Sequence, residues 1–139
     1  MKSTLTQPSS LPKPTEVELE ILNSLWSRGE ATVREVLEDV SQQRALGYTS
    51  VLKTIQIMTE KGLVQRTEAG KAHIYRATAT QEDTQSQLLR DLSMRLFSGS
   101  AAQLAMHALA MQPANSDELN EIRQMIERRK TSSKSKEKE

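Results

Sequence analysis

Ser50, Lys53, Gln56 and Ile57 recur at three- and four-residue steps, which places them on one side of a helix. A hydroxyl, an ammonium and a carboxamide on one face supply the donors that base edges and phosphates of DNA accept. Ile57 beside them is a branched apolar residue of the kind that meets a thymine methyl. Arg66 and Lys71 follow, the second next to Gly70, and cations so placed neutralise backbone phosphates. Taken singly, Lys53 and Gln56 are solvated helix residues and Gly70-Lys71 is an ordinary turn. Only their joint placement carries chemistry, and that chemistry is binding.

Catalysis has no footing in the chain. It holds no G-x-S-x-G, no phosphate-cradling glycine loop, no H-E-x-x-H and no cysteine. His107 has Met111 and no second ligand one turn on, so a metal site is not expected. His73 suits packing within a strand, and Trp26 suits a core. Neither an enzyme nor a cofactor is expected.

The elements that position these residues are legible as local patterns. Residues 49–62 form a helix with Val51, Leu52, Ile55 and Met58 on its inner face, Thr49 as N-cap and Gly62 as stop. Residues 63–67 and 72–78 read as strands joined by Glu68-Ala69-Gly70-Lys71, which contains the glycine that a hairpin needs. Upstream, Thr15-Glu16-Val17-Glu18 is a capping box opening a helix to Arg28, with Leu19, Leu22, Leu25 and Trp26 as its stripe and Ile21 at the edge. Thr32-Val33-Arg34-Glu35 is a second box, and that helix carries Val33, Val36, Leu37 and Val40. Residues 31–33 offer a short third strand, and 42–47 form the turn before the reading helix. Three helices followed by a hairpin make a winged helix-turn-helix.

The 139 residues suffice for one domain or two small ones, with 36% hydrophobic residues and 3% aromatic. Such a core is built from Leu, Ile, Val, Met and Ala, which suits a mainly α fold better than a β-sandwich. The absence of cysteine removes disulfides and thiolate metal sites. No apolar run reaches membrane-spanning length and the start lacks a secretory signal, so a cytoplasmic protein is expected. Net charge is +1, but it is unevenly spread. Residues 15–43 set Arg28 and Arg34 against Glu16, Glu18, Glu20, Glu30, Glu35, Glu38 and Asp39, a balance of −5. Residues 44–76 set Arg44, Lys53, Lys61, Arg66, Lys71 and Arg76 against Glu60 and Glu68, a balance of +4. Positive charge gathers on the reading helix and wing.

The second half reads differently. Thr80 caps a helix over 81–97, Ser98-Gly99-Ser100 breaks it, and residues 101–111 form a small apolar helix. Pro113 stops that helix and Ser116 caps a last one with Leu119, Ile122, Met125 and Ile126. Short helices with so many apolar residues bury little alone. Leu88, Leu89, Leu92, Leu96, Leu104, Leu109 and Ile122 are expected to meet a second copy of the chain. The expected division is a disordered segment 1–14, a winged-helix domain 15–79, a helical dimerisation domain 80–130 and a disordered charged tail 131–139.

Glu-Val-Glu-Leu-Glu-Ile-Leu-Asn-Ser-Leu-Trp at 16–26 and Tyr-Thr-Ser-Val-Leu-Lys-Thr at 48–54 resemble the penicillinase-repressor (BlaI/MecI) family. Glu60-Lys61-Gly62-Leu63-Val64 and His73-Ile74-Tyr75 match as well, and a weaker likeness runs through 92–109. The resemblance implies a homodimeric repressor on palindromic operators, reading through Thr49, Ser50 and Lys53, with Gln56 and Ile57 beside them. It also implies a protease-linked sensor that triggers cleavage at an Asn-Phe bond in the dimerisation region. His107-Ala108 stands at the matching positions, a departure that removes the motif. The copper-responsive relatives bind metal through cysteines, which this chain lacks. The competing expectation is a winged-helix protein-interaction module that touches no DNA.

Overall fold

The computed structural model describes residues 11–138. Residues 1–10 of the expected N-terminal segment and residue 139 of the expected tail lie outside them. The element order is α1 (Glu16–Arg28), α2 (Val33–Val40), α3 (Tyr48–Lys61), β1 (Val64–Ala69), β2 (Ala72–Ala77), α4 (Gln81–Leu96), α5 (Ala101–Met111) and α6 (Ser116–Lys138). Both capping boxes form. Glu18 N donates to Thr15 Oγ1 at 3.2 Å and Thr15 N to Glu18 Oε1 at 2.9 Å. Thr32 and Glu35 exchange the same pair of bonds at 3.2 and 2.9 Å. Each box satisfies amides that a helix start leaves without partners.

The chain forms two units, the first reaching to Asp91 and the second beginning at Leu92. In the first unit, Ile21, Leu25, Val36, Val51, Ile55 and Met58 are fully buried, so α1, α2 and α3 share one core. Fully burying side chains of this size contributes about 1.5–3 kcal/mol each. The buried face of α1 is Glu18, Ile21, Leu22 and Leu25, with Ser24 beside them. Ile21 is therefore central rather than peripheral, and Leu19 is only half-buried. The 18-21-22-25 ladder, not the one through 19 and 26, points at α2 and α3. Trp26 is half-buried and donates its indole N–H to the Ala79 carbonyl at 2.9 Å.

The reading helix begins one residue before the expected N-cap. Gly47 is its N-cap, without a side-chain bond, and Thr49 lies inside the first turn. A glycine there holds the extended backbone of a cap while offering no oxygen, so the first α3 amides are left for other acceptors. Gly62 ends the helix at φ 85°, as expected, with its N–H on the Met58 and Thr59 carbonyls.

β1 and β2 pair antiparallel, from Val64 opposite Ala77 to Ala69 opposite Ala72. β1 runs two residues further toward the tip than expected while β2 starts at Ala72 as expected, so the loop is only Gly70-Lys71. Gly70 stands at φ 65° in the first loop position, where a II′ hairpin turn takes glycine. The third strand reduces to one bridge, Ala31 with Tyr75, closed by bonds of 2.9 and 2.8 Å.

Leu11–Pro14 were expected to be disordered, yet they pack. Leu11 rests on the core, Pro14 is buried, and the Leu11 carbonyl accepts from Gln87 Nε2 at 2.8 Å. Lys13 pairs with Asp91 at 3.3 Å. Thr84 of α4 is also buried, so the first stretch of this helix belongs with the winged-helix core.

In the second unit, the turn after α4 has Ser98 at φ 49° and Gly99 at φ 85°. Ser100 caps α5, accepting from Gln103 N at 3.1 Å. Asn115, not Ser116, caps α6: it exchanges bonds with Glu118 at 2.8 and 3.1 Å. Asn115 and Glu118 complete the same Ncap-to-N3 geometry, with Ser116 as the first helical residue. α6 continues through 131–138, where a frayed tail was expected. α5 buries no residue. Leu92, Leu96, Leu109, Leu119, Met125 and Ile126 are all exposed, Leu96 at 69%. Leu104 and Ile122 are half-buried. In the first unit, Leu89 is exposed and Leu88 half-buried.

Candidate nucleic-acid interface

α3 buries Val51, Ile55 and Met58 and turns the opposite side outward. Thr49, Ser50, Lys53, Gln56 and Ile57 are all exposed, Ile57 at 40%. Ser50, Lys53, Gln56 and Ile57 follow one another at helical spacing, so donors and the apolar residue stand together. Thr54 Oγ1 donates back to the Ser50 carbonyl at 2.9 Å, which occupies that hydroxyl within the helix. Arg66 on β1 and Lys71 in the wing loop are exposed too. The register sets Arg66 opposite Tyr75 and Gln65 opposite Arg76. Adjacent strand positions face opposite ways, so the two wing arginines project from different faces of the hairpin.

Ion pairing sorts the cations of this unit. Arg28 holds Asp39 in a bidentate pair at 2.8 and 2.9 Å, and Glu35 and Glu38 lie at 3.7 and 3.6 Å. Ser24 Oγ donates to the same Asp39 carboxylate at 2.6 Å. The Arg28 and Ser24 donors hold the Asp39 carboxyl down at about 2, and Asp39 in turn raises Arg28. Arg44 binds Glu20 at 2.8 Å and also Glu16, and both raise its pKa. Lys61 donates to buried Glu18 at 2.8 Å. Burial pushes the Glu18 carboxyl up, but Lys61 and the Thr15 amide outweigh it and leave the group below its ordinary value.

Arg34, Lys53, Arg66, Lys71 and Arg76 are the cations between Lys13 and Arg76 with no carboxylate within 4 Å among the described residues. They sit on α3, the wing and the start of α2. Arg44 and Lys61, counted by sequence toward the basic half, are spent on holding α1. Arg34, counted in the acidic half, belongs with the free cations. It was missed because its freedom depends on which arginine Glu35 and Glu38 face, and they face Arg28. Its guanidinium lies over the Tyr48 ring, 5.1 Å from the centroid. His73 Nε2 stands 4.0 Å from Glu68 Oε2, directly across the ladder.

Three helices with a hairpin at the end of the third, with free cations on the third helix, the hairpin and the start of the second helix, define a winged helix-turn-helix. The penicillinase repressor family model matches residues 14–128. The chain belongs to that family. It is 29% identical over 120 residues to the transcriptional regulator BlaI of Mycobacterium tuberculosis, covering 85% of this chain and 86% of that one. It is 18% identical over 124 residues to the penicillinase repressor of Bacillus licheniformis, covering 89% and 97%. Among solved structures, the DNA-binding domain of the repressor BlaI aligns at 18% identity with a TM-score of 0.47, over 52% of this chain and 89% of that one. Among the described residues, no His, Cys, Asp and Glu cluster suits a metal ion, and no helix is long and apolar enough to cross a membrane.

Proposed function

We propose that this chain is a cytoplasmic transcriptional repressor that binds palindromic operator DNA as a homodimer. The observation that carries the reading is the sorting of charge: Arg28, Arg44 and Lys61, which hold the fold, are neutralised, and Arg34, Lys53, Arg66, Lys71 and Arg76 are left free for a polyanion. α3 enters the major groove with Ser50, Lys53, Gln56 and Ile57 toward the bases and Thr49 at its entry. Arg66 and Lys71 contact phosphates from the wing. Leu88, Leu89, Leu92, Leu96, Leu104, Leu109 and Ile122 hold the two copies together. Two reading helices then meet successive major grooves about one helical turn apart. Repression is by occupancy, since a bound dimer obstructs polymerase at the operator.

Sequencing the DNA fragments retained by the purified full chain tests the reading. A recovered inverted repeat, bound with strong salt dependence, is the expected result. Retention of no DNA at low salt would transfer the fold to a protein-interaction role.

A further inference from the structure

Between the start of α2, the start of α3 and the wing lies a cleft of about 410 Å³, lined by Thr32, Arg34, Tyr48, Leu52, Lys71 and His73 among others. Two cations border it from separate elements, Arg34 from α2 and Lys71 from the wing loop, and neither has a carboxylate within 4 Å among the described residues. The nearest α2 carboxylates are otherwise engaged: Glu35 caps Thr32 and faces Arg28, and Glu38 faces Arg28. Two free cations across one cleft attract an anion.

We propose that this cleft grips one backbone phosphate of the bound duplex, with Arg34 as its principal donor and Tyr48 as the plate that positions Arg34. The proposal rests on the DNA-binding reading above and extends it to residues outside the reading helix face and the wing strands. Stacking occupies the face of a guanidinium and leaves its N–H edge free, so Tyr48 and a phosphate engage Arg34 at once. A planar fork also matches phosphate oxygens in a bidentate way that an ammonium does not. Holding Arg34 on the ring before DNA arrives reduces the rotamer freedom lost on contact. Lys71 closes the opposite wall as a second charge. Tyr48 opens α3, so a phosphate held here flanks the groove that the helix enters. The cleft therefore sets the depth and register of α3 and reads no base itself.

The test is fluorescence anisotropy of the full chain on a random-sequence duplex and on a selected operator, across a salt series. Arg34→Ala is expected to lower the slope of log affinity against log salt by about 0.9, one phosphate, on both duplexes. Extrapolated from 1 M to 0.1 M salt, that slope corresponds to about an eightfold loss at the lower salt. Tyr48→Leu keeps the cation and removes the plate, so affinity falls about two- to fivefold with the slope unchanged. Arg34→Lys keeps the slope and loses affinity, as a point charge replaces a fork. In the double variant, Tyr48→Leu adds nothing to Arg34→Ala. Both side chains are exposed, so thermal melts check that the fold is intact. If Arg34→Ala keeps slope and affinity while Lys53→Ala weakens operator binding, the cleft is not a phosphate site and the DNA-binding reading stands. A wild-type chain without salt-dependent binding overturns both.

Discussion

Removing the Glu18 side chain should loosen the joint between the first helix and the reading helix. Glu18 is 3% exposed, and its two oxygens do separate work: Oε1 accepts from the Thr15 amide and Oε2 from Lys61, the last residue of α3. Glu18→Ala loses half of a capping box, worth about 1 kcal/mol. It also loses an ion pair intermediate between a surface pair and a buried one. The Lys61 side chain is one-third exposed and reaches water once released, so its charge is not stranded, and the pair contributes about 1 kcal/mol more. The expected cost is about 2 kcal/mol, a fall in midpoint of roughly 8–16 °C for a unit of this size. Lys61→Ala is expected to cost at least as much at neutral pH, because it leaves a buried carboxylate with only the Thr15 amide. The double variant should be no worse than the poorer single one, so the coupling equals the smaller single cost, about 2 kcal/mol. Urea titration of the full chain measures all three, with an unchanged m-value as the condition for comparison. Costs below about 0.5 kcal/mol for both singles, or additive effects, would refute the joint.

Lys53→Ala should weaken operator binding by roughly 1–3 kcal/mol without changing stability, since Lys53 is exposed opposite the buried face of α3; gel shift at matched salt measures it. Arg66→Ala should lower the salt slope by about 0.9, and Lys71→Ala by less, because Arg34 still neutralises the phosphate that it shares with Lys71; both weaken all sequences alike, and altered sequence preference at constant slope would mean that the wing reads bases. The Asp39 carboxyl is depressed from 3.8 to about 2, so its contribution is full above its unfolded pKa and is lost as pH falls from about 4 to about 2. Asp39→Asn should flatten that part of an acid-unfolding curve. A chain ending at Asp91 should sediment as a monomer and bind operator far more weakly than the full chain, because the linked half-sites are gone; a dimer of that fragment would move the interface out of the second half.

Much of the winged helix was legible because its signals are local. Thr15 with Glu18 and Thr32 with Glu35 satisfy helix starts within four residues, so pattern and structure coincide. Gly62 and Gly70 mark a helix end and a hairpin loop through backbone freedom that side-chain-bearing residues rarely share. The exposed face of α3 was likewise set by periodicity, since burying Val51, Ile55 and Met58 turns Lys53 and Gln56 outward.

Tertiary structure alone decided how the charges are divided. Glu20 and Arg44 are 24 residues apart and Glu18 and Lys61 are 43 apart, so no local rule shows that these cations are already spent. Arg28 drew in Asp39, Glu35 and Glu38, and this left Arg34 free beside Tyr48. The place of Leu11 on the core and the reach of the first unit through Asp91 depended on docking across 76 residues, from Gln87 back to the Leu11 carbonyl. Spacing decides which way a side chain points. Which opposite charge it meets depends on where distant helices come to rest, and an exposed cation is functional only if no carboxylate has reached it first.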